Sequence, residues 1–272
     1  MKEQPQHHIS YRTDRDPILK KLLIGAVERC TGARQLQSLY QEVIPRVQAG
    51  GHFWEETLQA MSLEVLLHGE EQLLQVAPSG GVLIIANHPF GVVDGLIASH
   101  VAFRLRSKFK ILVNHVLSFE PQLQEYLLPI EFRDAKEARR RNVQSRQAAL
   151  EALSRGEAVI LFPGGGVATR RFGIGSLEEL PWGNLVAKLA LQSNAQILPL
   201  YFHGENSLAF HLASQVHMNL RLALFIHETR KMIGRSVRAD VRRVINPDEL
   251  SLFQNRGDIV SFLKSRTEGC EV

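Results

Sequence analysis

The fold of this chain is decided by the stretch Val82-Leu83-Ile84-Ile85-Ala86-Asn87-His88-Pro89-Phe90-Gly91-Val92-Val93-Asp94. Five consecutive apolar residues are typical of a strand that is buried on both faces of a sheet. The strand ends in a His-Pro-Phe-Gly loop, and the acid that follows stands near the start of a predicted helix, where the helix dipole favours it. The stretch therefore predicts a strand–loop–helix unit of an α/β protein.

Two more apolar runs end in loops of the same kind. The run at 158–162 leads into Pro163-Gly164-Gly165-Gly166, and the run at 197–202 leads into His203-Gly204-Glu205-Asn206-Ser207. Predicted helices alternate with the strands, which indicates one α/β domain with a largely parallel central sheet flanked by helices. Because the loops at the carboxyl ends of parallel strands form the ligand crevice, we expect the three loops to converge on one site.

The remaining elements follow from hydrophobic periodicity. Helices are predicted over 16–30, 35–49, 53–68, 94–107, 118–128, 134–155, 185–193 and 208–232, and further strands over 110–114, 129–133 and 236–244. The first helix is amphipathic, so it either packs on the core or lies in a bilayer interface. We divide the chain into an N-terminal helical cap over 1–68, which could contact a membrane surface, and an α/β domain over 69–272.

Composition limits the classes of protein. Hydrophobic residues make up 44% and charged residues 22% of the 272 residues, which indicates a folded domain and excludes disorder. Cys30 and Cys270 stand near opposite ends without a CxxC pattern, which excludes a disulfide framework and a cysteine-based zinc site. The N-terminus has no apolar signal region, and no apolar run approaches the ~18 residues of a membrane span. We expect a protein that is cytosolic or bound to a membrane surface.

Charge is unevenly distributed along the chain. Lys and Arg outnumber Asp and Glu by 32 to 28, and the excess is confined to 81–272. The densest basic cluster, at 104–110, fits attraction to an anionic bilayer or an acidic ligand as well as it fits a solvated surface. A solvated helix face is favoured for the arginines at 139–141, which have acids nearby. Nucleic acid is disfavoured as a partner, because no recognised binding motif accompanies the charge.

His88 and Asp94 are the candidate catalytic pair. A carboxylate that accepts from one imidazole nitrogen fixes the tautomer and leaves the other nitrogen free to take a proton. Such a pair suits the activation of a substrate hydroxyl, and no serine or cysteine stands in a nucleophile elbow. From spacing alone, a structural histidine followed by a helix-capping aspartate explains the pair equally well. His203 is predicted to be structural, since one base suffices.

The three blocks, in this order, resemble those of the glycerophospholipid (lysophospholipid) acyltransferase superfamily. They are most similar to its bacterial hemolysin-like branch, which includes lyso-ornithine-lipid O-acyltransferases, and the similarity covers 55–245. The resemblance implies transfer of a fatty acyl group from an acyl carrier protein or coenzyme A thioester to the hydroxyl of a lysolipid, such as lyso-ornithine lipid or 1-acylglycerol-3-phosphate. It implies no metal and no cofactor beyond the thioester. It makes His88 the general base and Asp94 its orienting partner.

The chain departs from the superfamily's usual pattern in two blocks. Five residues rather than four separate His88 from Asp94, as the hemolysin-like branch tends to show. Gly164 stands where the usual Phe-Pro-Glu-Gly-Thr-Arg block has its glutamate, and no arginine follows until Arg170. In the superfamily that acid and that arginine help to hold a glycerol phosphate. The departure therefore favours an acceptor with a different head group.

The candidate substrate-binding residues are Arg133, Gly164, Gly165, Gly166 and Asn206. The backbone amides of the three glycines suit an oxyanion or phosphate cradle, and the alternative is a plain tight turn. Arg133 stands where the superfamily's second block often carries an arginine, so it either binds an anionic head group or forms a surface ion pair. Asn206 either hydrogen-bonds the acceptor or shapes a turn.

Two other functions stay open from the sequence. One is an acyl thioester or ester hydrolase, which uses water as the acceptor. The other is a lipid-binding protein that docks on a membrane without catalysis. The predicted location is cytoplasmic and peripheral, on the inner face of the membrane, because the basic excess over 81–272 and the helix at 16–30 are the visible means of reaching lipid.

Overall fold

The computed structural model of the protein describes residues 32–114, 123–131, 136–173, 175–216 and 218–270. The helices in these ranges are α1 (Ala33–Gln48), α2 (Phe53–Ala60), α3 (Val92–Leu105), α4 (Lys136–Ser154), α5 (Leu185–Ser193), α6 (Leu208–Val216), α7 (Met218–Lys231) and α8 (Arg256–Glu268). The strands are β1 (Glu64–His68), β2 (Val82–Ala86), β3 (Phe109–Asn114), β4 (Leu127–Ile130), β5 (Ala158–Leu161), β6 (Thr169–Arg170), β7 (Leu177–Glu178), β8 (Gln196–Phe202) and β9 (Ser236–Val241). Short 3₁₀ helices cover Glu70–Gln75, Arg171–Gly173 and Pro247–Leu252.

Seven of these strands form one sheet in the order β1-β9-β8-β2-β5-β3-β4. Neighbouring strands are parallel, except that β8 and β9 are antiparallel. β6 and β7 form a separate antiparallel ribbon. The α/β fold with a largely parallel central sheet and flanking helices is therefore confirmed.

The central strand β2 separates two hydrophobic cores. Val82, Ile84 and Ala86 face one core, which α2 and α3 cover, and Leu83 and Ile85 face the other, which α4, α5 and α8 cover. All five residues are buried. Because each face of the strand meets a helical layer, the sequence reads as an unbroken apolar run rather than an alternating one.

The described part of the predicted N-terminal cap packs on the same core. Trp54 of α2 is buried, and its ring lies 5.4 Å from that of Phe109 and 5.5 Å from that of Tyr126, centroid to centroid. Val43 of α1 is buried as well. The amphipathic helix predicted over 16–30 lies outside the described residues. Within the described ranges, no helix is both long and apolar enough to cross a membrane.

The prediction of a helix over 53–68 is correct for the first half of this segment and wrong for the second. α2 ends at Ala60, and Ser62 adopts a positive φ of 47° in the turn that follows. Residues 64–68 form β1, which pairs in parallel register with β9 at the edge of the sheet. Tertiary pairing with a distant strand therefore decides the conformation of this segment. The predicted boundary after residue 68 would assign β1, a strand of the sheet, to the N-terminal cap. The division into two regions stays a prediction.

Two more segments differ from the predicted elements. A helix is predicted over 118–128, but residues 123–126 form a turn and β4 begins at Leu127; the part before residue 123 lies outside the described residues. The single helix predicted over 208–232 is two helices, α6 and α7. The prediction also missed α8 and the β6–β7 ribbon. These corrections leave the three strands that carry the site loops unchanged.

Candidate active site

The loop that follows β2 is tied to both neighbouring site loops. Asn87 exchanges two hydrogen bonds with the backbone of Phe202 at the end of β8: its Nδ2 donates to the carbonyl at 2.9 Å, and its Oδ1 accepts from the N–H at 2.6 Å. The N–H of Ala168, in the loop after β5, donates to the carbonyl of His88 at 2.8 Å. The three loops predicted to converge therefore meet at the carboxyl edge of the sheet.

His88 and Asp94 form a hydrogen-bonded pair in this loop. The Nδ1 atom of His88 lies 3.0 Å from Oδ2 of Asp94. The same Oδ2 accepts the backbone N–H groups of Phe90 at 2.8 Å and Gly91 at 2.9 Å. Because an oxygen that accepts two N–H groups carries no proton, we assign the proton between the pair to Nδ1. Nε2 then holds a lone pair, and it has no hydrogen-bond partner among the described residues.

Helix α3 positions the carboxylate of Asp94. Asp94 is the third residue of the helix, and its bond to the N–H of Gly91 caps the helix N-terminus. Gly91 has a φ of 93°, and a Cβ added to it would lie 2.8 Å from Cε1 of Phe225. Asp94 therefore caps the helix and also contacts His88, and the catalytic role of the pair stays a prediction.

The side chains of His88 and Asp94 differ in their exposure to solvent. The side chain of Asp94 is completely buried, whereas that of His88 keeps 19% of its surface exposed. Oδ1 of Asp94 is buried and has no hydrogen-bond partner in the described part of the chain. Leaving a buried oxygen unpaired costs about 1–3 kcal/mol. A carboxylate kept at this cost beside an accessible imidazole is typical of a functional site.

Phe162 fixes the imidazole ring from the side of β5. Its ring is stacked on that of His88, with the centroids 4.0 Å apart and the planes 24° apart. Phe162 is the residue that precedes Pro163 and the glycines, so the second block contributes a ring contact as well as a turn. The imidazole is thus held at Nδ1 by a carboxylate and on one face by an aromatic ring.

The glycine loop after β5 uses one of its three amides internally. Gly165 has a φ of 69°, and its N–H donates to the carbonyl of Phe162 at 2.9 Å. Among the described residues, no acceptor lies within hydrogen-bond distance of the N–H of Gly164 or Gly166. An oxyanion cradle built from this loop would therefore use Gly164 and Gly166 rather than all three glycines.

Glu179 lies directly beside this loop. Its Oε1 accepts the backbone N–H of His88, and its Oε2 accepts Nε1–H of Trp182 at 2.9 Å. Burial raises the pKa of the Glu179 carboxyl, and the two hydrogen bonds oppose that rise. A Cβ added to Gly164 would lie 3.1 Å from the carbonyl oxygen of Leu180 and 3.6 Å from Cβ of Glu179. The segment that carries Glu179 thus fills the space beside the position where the usual block has its own glutamate.

The first arginine after the glycine loop has its charge paired. Nε and Nη2 of Arg170 donate to the two carboxylate oxygens of Glu205 at 2.5 and 2.8 Å. The buried His211 reaches the same carboxylate through Nε2 at 3.1 Å and accepts the N–H of Arg170 at Nδ1. The hydrogen bond from Arg170 lowers the pKa of Glu205. Arg170 therefore joins strand β6 to the loop after β8.

A second arginine near the same loop is differently placed. Nη2 of Arg221, on α7, donates to the carbonyl of Val167 at 2.9 Å. The guanidinium carbon lies 5.7 Å from the ring centroid of Phe210 and 5.9 Å from that of Phe225. Burial lowers the pKa of Arg221. A Cβ on Gly166 would lie 3.9 Å from Nη2 of this arginine.

The residues after β8 form hydrogen bonds within the protein. Asn206 is buried, and its Nδ2 donates to the carbonyl of Phe90 at 3.4 Å. Ser207 precedes α6 and donates from both its N–H and its hydroxyl to the buried carboxylate of Glu228. His203 lies 2.9 Å from Asp240 of β9, measured from Nε2 to Oδ2. These contacts brace the site loops against β9, α6 and α7.

The sequence of this chain matches the acyltransferase family model over residues 55–242. The chain belongs to the acyltransferase family. The matched range contains all three site loops, the His88–Asp94 pair, Glu179 and Arg221. It also contains all of the described strands, from β1 to β9.

Two relatives are lyso-glycine lipid O-acyltransferases by name. The one from Phocaeicola vulgatus is 26% identical to this acyltransferase over 162 residues, which cover 58% of this chain and 53% of the relative. The one from Bacteroides thetaiotaomicron is 26% identical over 169 residues, which cover 61% and 58%. The chain spans little more than half the length of these curated relatives.

A solved structure shares the fold. The 1-acyl-sn-glycerophosphate (LPA) acyltransferase PlsC from Thermotoga maritima superposes with a TM-score of 0.52 at 15% identity, over 91% of this chain and 87% of that one. At this identity the likeness concerns the fold. Together with the family match, it confirms the predicted membership of the glycerophospholipid acyltransferase superfamily.

The structure brings most of the predicted site residues together. His88, Asp94, the three glycines and Asn206 lie at one edge of the sheet, in loops that contact one another. Arg133 lies outside the described residues. Among the described residues, no group of three or more His, Cys, Asp or Glu side chains is arranged to hold a metal ion. Binding of substrate by the glycines, Arg133 or Asn206 stays a prediction.

Two residues of the site were missed from the sequence. Glu179 is 91 residues away from His88, and it stands in the connection between β7 and α5, where no strand end drew attention to it. Arg221 stands inside a predicted helix and outside the three blocks. The weak signal for Arg221 is a single charge flanked by Leu220 and Leu222, a position that a purely solvated helix face does not explain.

Proposed function

We propose that this acyltransferase moves a fatty acyl group from an acyl carrier protein or coenzyme A thioester to the hydroxyl of a lysolipid. The hydrogen-bonded pair of His88 and Asp94 is the observation that carries the proposal. Nε2 of His88 takes the proton from the acceptor hydroxyl while the oxygen attacks the thioester carbonyl carbon. The thiol leaves when the tetrahedral intermediate collapses, and the proton on Nε2 passes to the sulfur.

Asp94 acts by holding the imidazole in the productive tautomer. Its carboxylate accepts Nδ1–H, so it stabilises the imidazolium that forms when Nε2 takes the proton. Because the carboxylate is buried and held by two backbone N–H groups, the pair needs no rearrangement during the reaction. The nucleophile is the acceptor oxygen, so no acyl-enzyme intermediate forms.

The oxyanion of the tetrahedral intermediate is stabilised by the glycine loop. The N–H groups of Gly164 and Gly166 are the candidates, since that of Gly165 is already bonded to Phe162. The contact between this loop and His88, through the N–H of Ala168, keeps the base and the donors in one rigid unit. Loss of one oxyanion donor typically lowers kcat about 10²- to 10³-fold.

The decisive experiment is acyl transfer by the purified full-length protein. Acyl carrier protein and coenzyme A thioesters are supplied in turn with a panel of lysolipids that includes lyso-ornithine lipid, lyso-glycine lipid and 1-acylglycerol-3-phosphate. We expect a diacyl product from at least one pair, and His88→Ala lowers the rate about 10²- to 10⁴-fold. His68→Ala is the matched control, because it removes an exposed histidine at the end of β1, outside the three site loops.

Two results would contradict this function. Release of free fatty acid without any acylated lipid would make the protein a hydrolase with water as its acceptor. Binding to lysolipid vesicles without turnover, for every donor and acceptor in the panel, would make it a lipid-binding protein. Unchanged turnover in the presence of a chelator is expected, since the proposed reaction uses no metal and no cofactor other than the thioester.

We propose further that the protein works at the inner face of the cytoplasmic membrane, with the cap over 1–68 contributing to the contact. A lipid acceptor and the basic excess over 81–272 support this location. Sedimentation with anionic vesicles should capture the full-length protein in low salt and release it in high salt. Equal capture by anionic and neutral vesicles would contradict the electrostatic contact.

A further inference from the structure

Arg170 and Arg221 both lie close to the glycine loop, and within the described part of the chain Arg170 has an acidic partner whereas Arg221 has none. Arg170 is bound in bidentate fashion by Glu205, so its charge is neutralised within the protein. Arg221 has the carbonyl of Val167 and two aromatic rings as its neighbours. Arg170, which is the nearest in sequence to the usual block's arginine, is therefore not the cation left to bind a ligand.

The surroundings of Arg221 favour an anion. A guanidinium has five N–H donors in a planar fork, and one of these is bonded to Val167. The rings of Phe210 and Phe225 attract the cation through their faces but do not neutralise its charge. A half-buried cation that lacks a counter-ion gains more from an incoming oxyanion than an exposed cation does, because less water must be displaced.

Arg221 is linked to the backbone of His88 through two hydrogen bonds. It bonds to the carbonyl of Val167, and the N–H of the same peptide unit, on Ala168, donates to the carbonyl of His88. One peptide unit therefore connects the guanidinium to the backbone of the base. Arg221 also lies beside Gly166, whose N–H is a candidate for the oxyanion cradle.

We infer that Arg221 binds the anionic group of the acyl acceptor, so that the acceptor is a lysolipid with a phosphate or carboxylate in its head group. This inference rests on the proposed function, because it places the acceptor hydroxyl at His88. The head group of a lysolipid stands only a few bonds from its free hydroxyl. The phosphates of coenzyme A or of an acyl carrier protein are separated from the thioester by the whole pantetheine arm. An anion bound by an arginine that is linked to the backbone of His88 through one peptide unit therefore fits the acceptor better than the donor.

The test compares anionic and neutral acceptors with the variant Arg221→Gln. Lyso-glycine lipid and 1-acylglycerol-3-phosphate supply the carboxylate and the phosphate, and monoacylglycerol of the same chain length is the neutral acceptor. We expect Arg221→Gln to lower kcat/KM for the anionic acceptors about 10- to 100-fold, the range for a lost hydrogen bond to a charged group, with little change for monoacylglycerol. Arg221→Lys should restore part of the loss, and the KM for the thioester should not change.

Binding is measured separately from turnover. The role of Arg221 can then be contradicted while the proposed acyltransferase function still holds. Dissociation constants for the same three lipids are measured in the His88→Ala background, with and without Arg221→Gln. A selective loss of affinity for the anionic lipids supports the inference even if no tested pair turns over. Arg155→Gln is the matched control, because it removes one positive charge from an exposed position at the opposite edge of the sheet.

Three results would overturn the inference. Equal losses for anionic and neutral acceptors would make Arg221 a structural residue that holds Val167. A raised KM for the thioester alone would assign the anion to the donor. Unchanged affinities would leave Arg221 without a role in binding. If Arg221→Gln does not fold, Arg221→Met keeps the aliphatic packing against Phe210 and Phe225 and takes its place in each comparison.

Discussion

The two edges of the central sheet use arginine in opposite ways. At the amino edge, Arg106 donates hydrogen bonds to four carbonyl oxygens, those of Ala77, Gly80, Leu105 and Gly156, and so closes the turns that enter β2 and β5. At the carboxyl edge, the guanidinium of Arg221 is bonded to one carbonyl. Arg106 therefore stabilises the fold at the amino edge. At the carboxyl edge, where the candidate site lies, Arg170 is paired with Glu205, whereas one of the five N–H donors of Arg221 is bonded among the described residues.

The basic cluster at 104–110 lies at the edge of the sheet that does not hold the site. This cluster runs from the end of α3 into the start of β3, so it stands at the amino edge, away from His88. Arg104 pairs with Glu70, and Nζ of Lys110 donates to the carbonyl of Glu125. Three of the four charges in the cluster therefore have partners within the protein. Density of charge along a sequence does not show which cations remain available to a ligand.

The largest effect should come from the carboxyl edge, with Asp94→Asn. Asparagine would present an N–H₂ group or a weaker acceptor to Nδ1 of His88, so the imidazole loses its orienting carboxylate. We expect kcat/KM to fall about 10²- to 10⁴-fold while circular dichroism stays unchanged.

Asp258→Asn is the control for Asp94→Asn. Asp258 is also the third residue of a helix, α8, and it is exposed. The two substitutions therefore make the same chemical change at the same helical position, and only one of them touches a histidine. If both variants kept full acyl transfer, Asp94 would be a helix cap and nothing more.

The sequence predicts this edge well for a physical reason. A strand buried on both faces needs a continuous apolar run, and the loop at its end needs glycine, proline and a capping acid, so both leave a local pattern around His88 and Asp94. The glycine loop after β5 is predictable on the same grounds. Resemblance to a known superfamily then assigns roles that the spacing alone left open.

The parts that could not be predicted depend on contacts between distant segments. β1 takes its conformation from pairing with β9, so the periodicity within 53–68 wrongly predicted a helix there. Glu179 reaches His88 from a connection that has no regular structure of its own, and the side of α7 on which Arg221 stands is set by tertiary packing. No pattern of neighbouring residues encodes these contacts.

A second prediction concerns the amino edge, where Arg106→Lys should affect stability without affecting catalysis. Lysine keeps the charge, but its three N–H donors sit on one nitrogen and cannot reproduce the planar fork with which Arg106 reaches four carbonyls. We expect the free energy of unfolding to fall by about 1–3 kcal/mol, as judged from the midpoint of urea denaturation, with kcat/KM unchanged at a temperature where both proteins are folded. A fall in kcat/KM as large as that for Arg221→Gln would show that the two edges are not functionally distinct.

The smallest effect is expected from Glu179→Gln, and it is visible in the pH dependence of stability. Burial raises the pKa of this carboxyl in the folded protein, so the unfolded chain releases the proton first as the pH rises. The wild-type protein therefore loses stability as the pH rises from the ordinary pKa of a glutamate through the raised pKa of Glu179, and below that window this contribution is fully present. Glutamine has no proton to release, so the variant lacks this loss.

Glutamine also changes the hydrogen bonds, but that change does not depend on pH. Its single carbonyl oxygen can accept from either His88 or Trp182, so one of the two donors loses its acceptor at every pH. The difference in unfolding midpoint between Glu179→Gln and wild type should thus shift in favour of the variant as the pH rises through the window. Glu178→Gln, an exposed neighbour, is the control and should show no such shift. A pH-independent difference for Glu179→Gln would mean that Glu179 supports His88 through hydrogen-bond geometry alone.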